Sequence, residues 1–338
     1  MSIAIVTREP VDVSSYISGQ EYYLHTLAKV LPRFNIKVEF LTISQLLRHT
    51  VSYDRYDSYH LYYLSLRDVI RLREIVKNSK LVYHVYHVED VTWSKTHELS
   101  WKTFLVSLQF LVDMYLATAR SVYLWLRHRA PLAQCLLIEP YYECQCDSFH
   151  EYAKIITEKF SGAEREIRLL YIGRFSQYRS PPSALLTIAR GVAKRLRKHV
   201  KLTIVSKVTS RKKLYKYGND IVTLYFIDER IGDDERCKLY RESHFFIYLS
   251  RGNVAMNPPI TLLESVYHGT IPIVSSQVLS DLEVPLELVA DSVNEAIKRI
   301  IALWSNLERL DEVIRYLKKF FKRFYDVHRF VEAIKRTL

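Results

Sequence analysis

Short runs of β-branched and aromatic residues recur along this chain, each followed by a longer segment of helical period, and the series stops and then starts again. In the first half the runs read IAIVT (3–7), KVEFLT (37–42), SYHLYYL (58–64), LVYHVYH (81–87), MYLATA (114–119) and CLLIEP (135–140). Between the first two, Tyr23, Leu24, Leu27, Leu31 and Phe34 fall at helical spacing, and Val69, Leu72 and Val76 share one face of a second helix. Strands alternating with helices imply a parallel sheet flanked by helices. Residues 147–166 are polar, are punctuated by Gly162, and read as a linker. Beyond them the alternation resumes with IRLLYIG (167–173), VKLTIVS (200–206), IVTLYFI (221–227), HFFIYLS (244–250) and IPIVSS (271–276). The restart predicts two Rossmann-like α/β domains, 1–150 and 151–312. Residues 313–338 are expected to be C-terminal amphipathic helices packing back across the domains, with Val313, Leu317, Phe320, Phe321, Phe324, Val331, Ile334 and Leu338 on the apolar side.

The charge is unevenly placed along these halves. The formal net charge is +12. Residues 1–150 hold 16 Lys/Arg against 15 Asp/Glu, whereas residues 151–338 hold 33 against 22. A basic second half implies an anionic partner such as a phosphorylated small molecule, anionic lipid or nucleic acid, unless the excess only solubilises the surface. Cys135, Cys144, Cys146 and Cys237 make neither a disulfide framework nor a zinc-knuckle spacing, which suits a reducing compartment. The opening MSIAIVTREP reads as a first strand, not a signal peptide, and TFLVSLQFLV is too short to span a bilayer. The expected location is cytoplasmic, with peripheral contact to anionic membrane as an option through Lys318, Lys319, Lys322, Arg323 and Arg329 on the polar side of the last helices.

Ligands of open parallel sheets sit beyond the carboxyl ends of the strands, and three such ends carry suggestive residues. In YIGRFSQYRSPPSALL, Arg174 follows the strand-ending Gly173 at once, and Arg179 stands just before a helix opened by Pro181 and Pro182. Two guanidinium groups beside a helix N-terminus form a diphosphate site, although surface arginines are also common. In RGNVAMNPPITLLESVYHGTIPIVSS, paired prolines lead into a short helix. There the amides of Ile260, Thr261 and Leu262 would face an anion, and Glu264 sits about one turn in among Leu262, Leu263 and Val266. Gly269 permits a tight exit into the next strand. In LVYHVYHVED, His84 and His87 compete for the strand-end position; His87, just past the expected last strand residue, is preferred, and His60 reads as structural. Gly19 would let backbone approach phosphate at the start of the first helix.

Residues 167–276 resemble the donor-binding signature of retaining GT-B glycosyltransferases of family four, the group 1 glycosyl transferases. The residues that carry the likeness are Arg174 and Arg179 after the strand-end glycine, Glu264 followed by HGTIPIVSS, and LYRESHFFIYLS before them. The resemblance implies an α/β GT-B fold, two Rossmann-like domains facing a central cleft, the first on the acceptor side and the second binding the nucleotide sugar. It implies that Arg174 and Arg179 hold the donor diphosphate, that Glu264 binds the ribose, that the loop near Phe226 and Ile227 holds the base, and that His87 lies against the donor sugar. Two departures stand out. Met256 occupies the first position of the family's Glu-x7-Glu pair, and NPP replaces the usual glycine-rich turn.

The resulting expectation is retaining transfer of a sugar from a nucleotide-diphosphate donor to a glycan, lipid-linked or protein acceptor, with His87, Arg174 and Glu264 as the catalytic set. No cofactor and no metal are expected, because the chain has no Asp-x-Asp motif and a cationic pocket can neutralise the leaving diphosphate. A degenerate GT-B protein that binds a nucleotide, glycan or partner without turnover is the alternative, on the strength of Met256. Nucleic acid is not an expected partner, since no nucleic-acid-binding signature accompanies the basic charge.

Overall fold

A computed structural model describes residues 1–11, 19–48, 53–86, 95–143, 152–161, 166–173, 181–206, 214–218, 221–227, 231–250, 258–279 and 284–338. It divides into two compact units, one of residues 1–141, 254–257 and 324–338, the other of residues 142–253 and 258–323.

The first unit is a six-stranded sheet among the described residues, ordered β2-β1-β3-β4-β5-β6. The strands are β1 (Ser2–Thr7), β2 (Lys37–Thr42), β3 (Ser58–Leu61), β4 (Lys80–Val85), β5 (Met114–Ala117) and β6 (Gln134–Leu137), and every pairing is parallel. The helices between them are α1 (Gly19–Val30), α2 (Ile43–Leu47), α3 (Leu66–Ile75), α4 (Lys95–Leu108) and α5 (Arg120–Arg129). Alternation decides which residues face which layer. Tyr59, Leu61, Tyr83, Val85 and Tyr115 share one core with Val69, Leu72, Leu105, Leu108, Val122 and Leu126 of the helices. On the opposite side of β3 and β4 lie His60 and His84, under α1 and the final helix. Helix α3 starts where Ser65 and Asp68 form a reciprocal capping box, which satisfies amides the helix cannot.

The second unit begins with α6 (Tyr152–Ser161), within the stretch expected to be a linker. Its polar residues hide an apolar anchor, since Ile156 is buried and packs toward the turn at Gly269. Then come β7 (Glu166–Ile172), α7 (Pro182–Leu196), β8 (His199–Val205), β9 (Leu214–Gly218), β10 (Val222–Ile227), α8 (Asp233–Glu242), β11 (Phe245–Tyr248), α9 (Ile260–Tyr267), β12 (Ile271–Val274), α10 (Val293–Ser305) and α11 (Leu307–Phe321). The sheet order is β12-β11-β7-β8-β10-β9. All pairings are parallel except β9 with β10, an antiparallel edge that the expected all-parallel pattern did not include. The last helix, α12 (Val327–Lys335), belongs to the first unit. Val313, Leu317, Phe321, Phe324, Val331 and Ile334 are buried, as their spacing implied, whereas Arg323 lies over the Phe320 ring at 4.4 Å.

Candidate functional site

The order of the second sheet locates its ligand edge. From β7 the chain winds outward through β8 to β10, then returns to the other flank of β7 with β11 and β12. The reversal falls between β7 and β11, which pair through Phe245–Leu169 and Phe246–Leu170. A switch of this kind leaves a crevice where the two following loops diverge. One of those loops begins at Gly173, so Arg174 and Arg179 follow the switch strand in sequence; both lie outside the described residues. The other leads to α9. Met256 and His87 are likewise outside the described residues.

Helix α9 is buried at every position but the half-buried Thr261, Glu264 included at 1% exposure. A carboxylate held out of water needs compensation. Arg236 of α8 provides it, with Nε 2.8 Å from Oε1 and a side chain only 13% exposed. The Tyr240 hydroxyl, one turn further along α8, donates to Oε2 at 3.1 Å and lies 3.2 Å from the Thr261 carbonyl. Arg236 and Tyr240 are functional candidates that the sequence did not single out: they share a face of α8 at i,i+4 spacing, but only the fold brings that face to Glu264.

The amino end of α9 is capped by Pro259, with no side-chain cap. Three amides were expected to face an anion here. The Leu262 N–H already donates to the Pro259 carbonyl at 3.0 Å, because the first turn is tight, which removes it from the expected set and leaves Ile260 and Thr261. Those two are first-turn donors, which a helix does not satisfy internally. At its other end α9 leaves through Gly269 at φ +70°, where an added Cβ would also come within 2.9 Å of Ile155 Cγ2. Ser275 joins the ends of the neighbouring strands, accepting from the Ser250 amide at 3.0 Å and donating to its carbonyl at 2.7 Å. Phe226 and Ile227 are the half-buried last residues of β10, paired with Ile204 and Val205 of β8. The loop that follows them is outside the described residues.

In the first unit Gly19 is the first residue of α1. His84 lies inside β4, buried, with Nε2 2.9 Å from Nδ1 of His60, whose own Nε2 is 3.0 Å from the Thr337 hydroxyl. Tyr62 stacks on His84 at 4.1 Å, and Tyr23 approaches it at 5.8 Å. Burial lowers His60 to about 3, and it pushes His84 far below the usual imidazole range, helped by the neighbouring His60. Both rings are therefore neutral. The His84 Nδ1 and the Tyr23 hydroxyl find no hydrogen-bond partner among the described residues. Among the described residues there is also no cluster of His, Cys, Asp and Glu able to hold a metal, and no helix long and apolar enough to cross a membrane.

No family model and no curated protein matches the sequence. Solved structures do match its fold. The Anabaena protein HepE in complex with UDP-glucose superimposes with a TM-score of 0.66 at 12% identity, over 100% of this chain and 99% of that one. Trehalose-6-phosphate synthase OtsA gives 0.68 at 10% identity, over 99% and 98%. The catalytic domain of starch synthase IV from Arabidopsis thaliana, bound to ADP and acarbose, gives 0.58 at 10%, over 99% of both chains. At these identities the likeness speaks for architecture alone. The chain has the α/β GT-B fold of glycosyltransferases, built from two Rossmann-like units.

Proposed function

We propose that this protein is a glycosyltransferase that moves a sugar from a nucleotide-diphosphate donor to a glycan, lipid-linked or protein acceptor, with retention at the anomeric carbon and without a metal. The observation that carries the reading is the switch point between β7 and β11, with Gly173 just past the end of β7 and the helix α9 following β11 in the chain. Arg174, Arg179 and the amides of Ile260 and Thr261 would hold the diphosphate. As the leaving group departs, its charge grows, and fixed cations and amide dipoles stabilise that charge without reorganising. Glu264, paired with Arg236, would accept from ribose hydroxyls, and the loop after Phe226 and Ile227 would hold the base. His87 would orient the donor sugar, and Gly19 would admit phosphate at the start of α1. HepE has been captured with UDP-glucose, which supports a nucleotide-sugar donor. The first unit, residues 1–150 in outline, would receive the acceptor, in the cytoplasm or at the surface of an anionic membrane.

Met256 favours a second reading, a GT-B protein that binds nucleotide or glycan without turnover, because a thioether cannot hold sugar hydroxyls as a carboxylate does. A thermal-shift screen over UDP-, GDP-, ADP- and dTDP-glucose tests the donor assignment, since a bound donor raises the melting temperature by mass action. One nucleotide family should stabilise the protein, and Arg174→Glu should abolish that shift. A flat response to all four would sink the assignment. A shift without donor hydrolysis or transfer to any acceptor would favour the second reading.

A further inference from the structure

Lys159 of α6 lies outside the site described above but touches both helices that build it. Its Nζ has four backbone carbonyl oxygens around it, those of Gly269 at 2.6 Å, Ser243 at 3.0 Å, Tyr240 at 3.1 Å and His268 at 3.4 Å. Tyr240 and Ser243 are at the carboxyl end of α8, and His268 and Gly269 are at the carboxyl end of α9. The Tyr240 carbonyl also accepts from the Ser243 amide at 3.1 Å; all four lie where helix carbonyls run out of internal partners and the partial negative charge of the helix dipole collects. One ammonium, with three N–H groups, thus closes two helix ends at once. The Thr270 hydroxyl donates to the same Tyr240 carbonyl, which adds a second tie between them.

The position of Lys159 is itself fixed. The Arg168 amide donates to Nδ1 of His244, so the ring's Nε2 carries the proton and donates to the Lys159 carbonyl at 3.3 Å. Next door, Phe160 packs edge-on against His244 and Phe245 at ring distances of 5.3 and 5.6 Å. Ile155 leaves no room for a side chain at Gly269. Helix α6 is therefore a rigid mount, not a spacer.

We propose that Lys159 is a positioning residue of the nucleotide-sugar site: by clamping the carboxyl ends of α8 and α9 together, it sets the register in which Arg236 and Tyr240 meet Glu264 and in which the first amides of α9 face the diphosphate. The inference rests on the donor-site reading given above. The clamp is at one end of α9 and the proposed phosphate site is at the other, so α9 acts as the rod between them. Arg236–Glu264 and Tyr240–Glu264 bridge the same two helices farther along, and a slip at the clamped end would pull those contacts apart.

The clamp also titrates. Burial, with the nearby guanidinium groups of Arg168 and Arg241, lowers Lys159 to about 7. The other groups around it are Glu166 on β7, beside Arg168; His244, lowered to about 4 and so neutral near pH 7; and His268, whose Nε2 is 3.4 Å from the Tyr142 hydroxyl. On deprotonation the amine keeps two N–H groups and turns a lone pair toward carbonyl oxygens, which loosens the clamp.

The test is calorimetric affinity for whichever of UDP-, GDP-, ADP- or dTDP-glucose binds the wild type most tightly, measured across the neutral range. None of these diesters titrates a phosphate there. The wild type should bind roughly fivefold to tenfold more weakly at about pH 8.5 than at about pH 6, following the lysine. Lys159→Met should bind about tenfold more weakly at low pH and show no pH dependence, while Lys159→Arg should recover part of the affinity and stay insensitive to pH. If Lys159→Met does not fold, the pH profile of the wild type set against that of Lys159→Arg decides the matter. Equal profiles for wild type and variants overturn the clamp. A wild type that binds none of the four sugars overturns the donor-site reading instead, and the positioning role with it.

Discussion

Each unit buries polar groups beside a parallel sheet, but they solve the cost of doing so differently. In the first, His60, His84, Thr337 and the surrounding tyrosines are all neutral, and the imidazoles stay so because burial drives their protonation far into acid. In the second, ionisable groups are buried: Arg236 against Glu264, and Lys159, which releases its proton near pH 7, against four carbonyls. Neutral groups are cheaper to bury and hydrogen-bond hydroxyls well, whereas fixed ions hold a strong field that suits a polyanion.

The comparison can be broken in order of expected effect. Arg236→Met strands the Glu264 carboxylate in the interior and should cost about 3–5 kcal/mol in urea unfolding of the second unit. A loss below 1 kcal/mol would mean that the pair is open to water. Gly269→Ala forces a side chain into a left-handed turn and against Ile155, with an expected loss of about 1–3 kcal/mol by the same assay. In the first unit His60→Phe leaves the Nε2 of His84 without its partner and should cost about 1–2 kcal/mol. Thr337→Val removes the hydroxyl that meets His60 Nε2 and donates to the Ile334 carbonyl, two neutral hydrogen bonds, and about 1–2 kcal/mol should be lost.

Acidity separates the units further. An unfolded histidine takes up a proton near pH ~6.5, which folded His60 refuses until about 3. Stability of the first unit therefore falls as pH drops through that window, and the double variant His60→Phe/His84→Leu should flatten the fall. Unfolded lysine holds its proton up to about 10.4, whereas folded Lys159 releases it near 7, so the second unit gains global stability as pH rises between those values. His244, lowered to about 4, gives this unit an acid loss of its own, which makes the alkaline window the discriminating one. Hydrogen exchange read separately in each unit checks both. An alkaline gain confined to the first unit would reverse the comparison.

Most of the fold was legible in the sequence because strand and helix periods differ and the series restarts. KVEFLT (37–42) became β2 with the same bounds, and the other strands moved by a few residues at their ends. The misses share a cause. Helix α6 read as a linker because Lys159 and its polar neighbours mask how few apolar contacts a short helix needs when its lysine reaches two helix ends. Edge strand β9, with the sequence LYKYG, has too little alternation in too short a run. The burial of Glu264 could be inferred from Leu262, Leu263 and Val266 around it, but its partner could not, since Arg236 is 28 positions away and no local pattern couples them.

On the proposed function, the switch point of the second unit would hold a nucleotide sugar through Arg174 and Glu264. Titrating UDP-glucose into the wild type, Arg174→Glu and Glu264→Gln tests it directly, with melting temperatures recorded to show that each variant is folded. The account predicts saturable binding by the wild type, with both variants weaker by about 10- to 100-fold, equivalent to about 1.4–2.7 kcal/mol. Folded variants that bind UDP-glucose as tightly as the wild type would contradict it.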